Sequence, residues 1–317
     1  MKLLKDLKNA IVFKVKPEFA FTPELLADFE KQADGWHFDG VDMRDGILRQ
    51  DCFVAPVNDK FIYTIENKIH YARYKKVNRQ IPASVVKREV KRRCNEYSLK
   101  EGKSATKKMR TEFKHDAIDD LSVHAFKVDT YIDVLFTDEF VIIFTGSKSV
   151  SDDITSYMRK LFGSLPATPI GYAVKGRMSQ TVTEDISNAL KDAESEEIRT
   201  LGFDVGDSVS LQGNGQVSGK QIALDSGVVM AGLEAGMSIG KVQLSSQDLD
   251  FDIDEDLHFK SIKFGLGVII GSDSFVDDEI DGNITVSYNT ITSAVDKVVA
   301  HLGGWFDDKE EEEEEEE

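Results

Sequence analysis

Two apolar stripes at helical spacing, one directly after the other and both clad in lysine and arginine, govern the middle of this 317-residue chain. The first opens at Ile81-Pro82, with Ser84 as candidate N-cap, and runs through Val86, Val90, Cys94 and Tyr97. Lys87, Arg88, Lys91, Arg92 and Arg93 take its other faces. Glu101-Gly102 breaks the pattern. A second stripe, Met109, Phe113, Ala117 and Leu121, follows from about Ser104, with Lys107, Lys108, Arg110 and Lys114 in its first half. Two amphipathic helices joined by a short breaker pack on each other, so the segment is expected to be a helical hairpin.

The charge on this hairpin is out of keeping with the rest of the chain. Overall, 39 Lys and Arg face 57 Asp and Glu, a net of −18. From Lys68 to Lys114, 16 basic residues face only 4 acids, a net of +12, which leaves −30 for the remainder. A surface helix normally balances lysine with glutamate. A strongly basic segment in an acidic chain therefore implies a polyanion held in one place and repelled elsewhere. Lysine and arginine on exposed helical faces neutralise phosphates and release counterions, which gives affinity without sequence preference. The candidate DNA-binding residues are Lys75, Lys76, Arg79, Lys87, Arg88, Lys91, Arg92, Arg93, Lys107, Lys108, Arg110 and Lys114. Tyr71, Tyr74 and Tyr97 interleave with them, and for Tyr97 core packing is the better reading.

Around the hairpin the pattern is α+β. Residues 1–75 are expected to form an N-terminal domain, with a strand at Ala10–Val15 and a helix capped by Thr22 with Pro23 in its first position. Within it, Cys52–Ala55 and Phe61–Ile65 bracket Asn58-Asp59 as in a hairpin. Residues 76–170 add strands at Thr130–Phe136 and Phe140–Thr145 and a helix from about Ser151. A C-terminal domain over 171–304 contains glycine-rich turns (202–219 and 232–240) and strands at Lys241–Leu244, Leu249–Ile253 and Leu257–Phe264. Its last helix carries Ile291, Val295, Val298 and Leu302 and is ended by Gly303-Gly304. The tail 305–317, with eight consecutive glutamates, is too like-charged to pack and is expected to be disordered. No run approaches the roughly 18 apolar residues of a membrane helix. Met1-Lys2-Leu3-Leu4-Lys5-Asp6 meets charge too early for a secretory leader, and two cysteines make no disulfide framework. A cytoplasmic protein is expected, with no membrane partner.

Other constellations favour structural roles. Gly213–Lys220 departs from a nucleotide-binding loop at Asn214, where its first glycine belongs, and at Gln221, where a magnesium-holding hydroxyl belongs. Gly265-Leu266-Gly267 lacks the third glycine of a dinucleotide turn, and no helix with a partner acid is expected after it. Asp248, Asp250, Asp252, Asp254 and Asp256 alternate with apolar residues, so period two makes them the solvated face of a strand. Glu89-Val90-Lys91 and Glu112-Phe113-Lys114 imitate the end of a nuclease motif but fall on helices. The six histidines have no ligand spacing. No catalytic residue, metal site or cofactor is expected.

The order of local motifs resembles the recombination-associated RdgC family of bacteria and phages. The carriers are Ile81-Pro82-Ala83-Ser84-Val85-Val86-Lys87, His124-Ala125-Phe126, Leu161-Phe162-Gly163-Ser164-Leu165-Pro166, Gly219-Lys220-Gln221, Gly240-Lys241-Val242-Gln243-Leu244, Leu257–Phe264 and His301-Leu302-Gly303-Gly304. The resemblance implies an α+β subunit with antiparallel sheets that pairs into a ring-shaped homodimer around duplex DNA. It further implies interference with a RecA-type recombinase, no catalysis, and a place in the bacterial nucleoid or, for a phage-encoded member, the host cytoplasm. It puts Phe126 at a contact between subunits, against Lys220 and Gln221 of the other chain. Single-stranded DNA stays open as a second ligand. Two other classes stay open as well: a metal-dependent nuclease, and a phage interaction protein whose acidic tail mimics DNA.

Overall fold

Ile11–Val15 is apolar at every position but Lys14, and every position but Lys14 is buried. Such a run suits a strand covered on both faces. In the computed structural model, which describes residues 4–35, 52–57, 59–65, 68–191, 198–213, 217–218, 227–273 and 279–306, this strand, β1, sits between two antiparallel neighbours. After β1 come α1 (Pro23–Gly35), β2 (Cys52–Ala55), β3 (Tyr63–Thr64), β4 (His70–Gln80), α2 (Ala83–Glu101) and α3 (Lys107–Ser122). Then follow β5 (Phe126–Phe136), β6 (Phe140–Ile143), α4 (Lys148–Phe162), β7 (Ala167–Pro169), α5 (Ile170–Ala173) and α6 (Met178–Lys191). The chain continues through β8 (Arg199–Thr200), β9 (Phe203–Gln212), β10 (Val217–Ser218), α7 (Gly227–Glu234), β11 (Ser238–Ser245), β12 (Leu249–Asp254) and β13 (Phe259–Phe264). It closes with α8 (Leu266–Asp273) and α9 (Glu279–His301).

The class is α+β with antiparallel pairing. One sheet has the order β2-β4-β5-β6-β1-β7, with β3 also on β4. The other has the order β10-β9-β11-β12-β13, with β8 on β9, and every pair in it is antiparallel. The chain divides into two compact units. The first is Met1–Glu30, Pro56–Arg73 and Asp133–Glu317, and the second is Lys31–Ala55 and Tyr74–Ile132. A division at 75/76 falls inside β4, and one at 170/171 falls inside α5.

In the first unit, adjacent residues of β5 serve opposite faces, as strand geometry requires. Leu135 joins a core with Val12, Phe140 and Ile142 that takes in α6 through Met178, Val182 and Ile186. The same core holds α9 through Ile291, Val295 and Val298, with Leu302 just beyond the helix, and these four side chains are no more than 3% exposed. Truncating Ile291 or Leu302 to alanine is expected to cost about 2–5 kcal/mol. On the other face Phe136 lies 4.8 Å from Phe21 and 5.1 Å from His70, ring centre to ring centre, and Phe162 of α4 closes the cluster. Thr22 caps α1, accepting from the Leu25 amide at 3.3 Å. Gly303 and Gly304, both at positive φ, end α9.

Four local expectations are corrected. Cys52–Ala55 and Tyr63–Thr64 both pair with β4, so the turn at Val57–Lys60 does not join a two-stranded hairpin. Residues 203–212, read as turns, form β9, where Gly206 lies against the Gln243 side chain of β11. The aspartates of β12 do not present a purely solvated face. Asp252 is buried, 2.7 Å from Lys241 Nζ and 2.9 Å from Ser261 Oγ, and Asp254 takes Lys260 Nζ at 2.5 Å. Burial pushes the Asp254 carboxyl up, but hydrogen bonds from His258 and Lys260 outweigh it and hold the group below the usual carboxylate range. Lastly, a helix does open within Gly265-Leu266-Gly267, since α8 starts at Leu266. A Cβ at Gly265 would stand 2.2 Å from the Gln247 carbonyl oxygen, so this glycine serves a close approach of the chain to itself.

Candidate nucleic-acid interface

The hairpin is a local product of its caps and stripes. The amides of Val85 and Val86 bond the Pro82 carbonyl, which starts α2 one residue before Ser84, so Ser84 lies inside the helix. Gly102 ends α2 at φ 64, its amide on the Ser98 carbonyl, a conformation that costs an L-residue free energy and glycine little. Thr106 then caps α3, accepting from the Met109 amide at 3.3 Å. Val86 and Ala117 are buried. Tyr97 meets Phe113 with ring centres 6.1 Å apart, so Tyr97 is a packing residue.

Arg93 staples the two helices. It reaches Glu89 at 3.0 Å within α2 and Asp120 at 2.6 Å on α3, with Asp116 at 3.8 Å. Arg92 pairs with Glu89 at 2.5 Å and also with Glu96. Hydrogen bonds from Arg92 and Arg93 pull the Glu89 carboxyl down to about 2. Both arginines are therefore occupied by carboxylates of their own hairpin. Arg73, part of the basic segment, is likewise held by the buried Asp133 at 3.3 Å.

The remaining cations behave differently. Lys87, Arg88, Lys91, Lys107, Lys108, Arg110 and Lys114 are all exposed. Among the described residues none of them has a carboxylate within 4 Å; Arg110 donates only to the Ala105 carbonyl, at 3.2 Å. Lys100 and Lys103, at the turn between the helices, are exposed in the same way and extend the set. Sequence reasoning misses these two because they flank the Glu101-Gly102 breaker, between the end of one stripe and the start of the next, although they belong to the same +12 segment. The positive surface is thus α2, the turn and the first half of α3. The second half of α3 carries Asp116, Asp119 and Asp120.

The strand preceding α2 contributes less. Lys76 is 8% exposed, and the reason is the period of two: on β4 it shares a face with the fully buried Tyr74. It is no surface cation. Lys75 faces the other way and is paired with Asp129 at 2.8 Å. Arg79 lies on β4 with its side chain outside the described residues, and Lys220 and Gln221 also lie outside them. Phe126, the first residue of β5, is 86% exposed, and Val123 beside it is 55% exposed. Phe126 is therefore not a core residue of the chain.

Between α2 and α3 runs a groove of about 850 Å³. Ile81, Val86, Val90, Cys94 and Ile118 form its apolar lining, and Lys87, Lys91, Arg110 and Lys114 also line it. Among the described residues no group of three or more His, Cys, Asp or Glu is arranged to hold a metal ion. Among them, too, no helix is long and apolar enough to cross a membrane.

Comparison with known proteins places this chain in a family. Proteins named Recombination-associated protein RdgC align along most of their length. That of Mannheimia succiniciproducens is 23% identical over 309 residues, covering 94% of this chain and 97% of the relative. The Proteus mirabilis protein is 23% identical over 312 residues, covering 94% and 98%. The Shewanella halifaxensis protein is 22% identical over 315 residues, covering 95% and 98%. The family model described as "Putative exonuclease, RdgC" matches residues 7–308, and the chain belongs to the RdgC family.

Proposed function

We propose that this chain is a non-enzymatic, sequence-independent DNA-binding protein that encircles duplex DNA as a homodimer and modulates RecA-type recombination. The observation that carries the proposal is the set of exposed cations on α2, the interhelical turn and α3 that lack a carboxylate partner among the described residues, in a chain of net charge −18. Nothing in that set is arranged as a base-reading motif, which fits phosphate binding and indifference to sequence. The name shared by the relatives supports a role in recombination. The exposed Phe126 supports a subunit contact there, since a large aromatic ring left in water is the usual anchor of an interface.

The test is a pair of binding series, on duplex and on single-stranded DNA of several sequences, each at two salt concentrations. Equal affinity across sequences, falling steeply with salt, is the expected result. Affinity that ignores salt overturns the reading. A second reading, a nuclease, is favoured by the description of the family model. Loss of end-labelled DNA on addition of magnesium or manganese to the purified protein decides for it.

A further inference from the structure

We propose that the groove between α2 and α3 is a docking site for an acidic amphipathic helix of about three turns, supplied by a partner protein. The argument rests on the pairing of an apolar floor with unpaired cations. Val86, Val90 and Cys94 recur every four residues along α2 and meet Ile118 of α3 across the groove. Lys87 and Lys91 stand beside this floor on α2, and Arg110 and Lys114 on α3. The acids of the hairpin are elsewhere. Around α2, Lys91 and Arg93 lie about 160° apart, and the carboxylates collect at Arg93.

Each feature narrows the occupant. Four cations with no carboxylate among the described residues ask for a ligand with negative charge. A sugar-phosphate strand meets that demand but leaves the floor in water. A purely apolar ligand covers the floor and strands the cations beside it. A ligand with an apolar stripe flanked on both sides by Asp or Glu satisfies both. The lining of α2 extends from Ala83 to Cys94, about 16 Å along the axis at 1.5 Å per residue. That is the length of a three-turn helix with anchors at i, i+4 and i+7, the usual way a helix fills a groove. The proposal is independent of DNA binding. If both hold, helix and DNA share four cations and exclude each other there.

The experiment uses the full chain and a fluorescein-labelled synthetic peptide of about 14 residues. It carries leucines at helical spacing and glutamates on both flanks; a scrambled peptide of the same composition is the control. The amphipathic peptide should bind about tenfold or more tighter than the scramble, and Val90→Asp should remove that advantage. Arg88→Gln, outside the groove, should leave it in place. Because Val90→Asp can disturb α2, a second readout needs no variant. Alkylation of Cys94 by iodoacetamide, followed by mass spectrometry, should slow with the amphipathic peptide and not with the scrambled one. Equal binding of the two peptides overturns the proposal, and so does Cys94 left unprotected by the amphipathic peptide. Protection without peptide also overturns it. If that protection grows with protein concentration, a second copy fills the groove; if it vanishes on deletion after Phe306, the chain's own acidic tail does.

Discussion

Arg93 on α2 and Asp120 on α3 meet at 2.6 Å, while Lys91, two residues from Arg93, meets no carboxylate among the described residues. The hairpin thus uses one arginine to hold itself together and leaves the neighbouring lysine available. The same division separates its other cations, and it sorts the consequences of replacing them.

Replacing Lys87, Arg88 and Lys91 together with glutamine should weaken DNA binding for all sequences alike. The log–log salt slope on duplex DNA should flatten by roughly 0.9 for each phosphate that is no longer neutralised. Arg92→Gln, which removes a cation already paired with Glu89 and Glu96, should change the slope far less. Anisotropy titrations across salt compare the two variants. Equal effects would show that internal pairing does not decide which cations bind.

Arg93→Gln should act on stability rather than on binding. It leaves Asp120 without this partner while Glu89 keeps Arg92, and ion pairs at a surface each contribute only a small stabilisation. A small loss in urea unfolding, with the salt slope of DNA binding unchanged, is expected. An altered slope would move Arg93 into the interface.

His70 makes the first unit sensitive to mild acid. Burial holds its imidazole below the ordinary 6.5; Asp138 opposes the effect and Lys68 adds to it. The folded chain therefore binds fewer protons at this site than the unfolded one. Its contribution to stability is complete above 6.5 and is lost as pH falls through 6.5 toward the lower folded value. Melting temperature should drop between about pH 7.5 and 5.5, and His70→Gln should flatten that drop. An identical pH profile for the variant would remove His70 as the cause.

Phe126→Ala should leave the melting temperature of the subunit unchanged, because the ring is 86% exposed. If Phe126 anchors a subunit contact, its truncation should weaken dimerisation by about 2 kcal/mol or more. Retention on circular DNA should then fall more than retention on short linear fragments. Sedimentation velocity together with the two DNA forms measures this, and a dimer of unchanged affinity would clear Phe126 of the role.

The elements legible in the sequence are those whose pattern and punctuation agree. Both basic helices show an unbroken stripe and a glycine or threonine at the right end, and α9 ends in Gly303-Gly304. β12 alternates cleanly, so its period is plain. What its aspartates face is not, because Lys241 comes from β11 and Ser261 from β13. α6 escapes a reading by pattern although Met178, Val182 and Ile186 recur every four residues, since Ser179, Thr181 and Thr183, weak helix formers, take half of the positions between them. In β9 glycine and polar residues imitate turns, and pairing with β8, β10 and β11 makes the segment a strand. At the site, local charge density locates the hairpin but does not tell free cations from paired ones. Arg92 and Arg93 look like Lys87 and Lys91 in sequence, and the difference lies in where four carboxylates fall around two helices.

Ala10 and Phe259 bond each other through both backbone amides, at 2.9 and 3.0 Å, and the Ile262 amide reaches the Lys8 carbonyl at 2.8 Å. The first unit is stitched by partners far apart in the chain. During synthesis, β6 and β7 reach β1 first, and the bonds between Ala10 and Phe259 close only after β13 has left the ribosome. The hairpin of α2 and α3 needs only its own forty or so residues and can fold long before that, since local contacts form fastest. The chain therefore presents its most positively charged element, already formed, while the acidic body that counterbalances it is still being made.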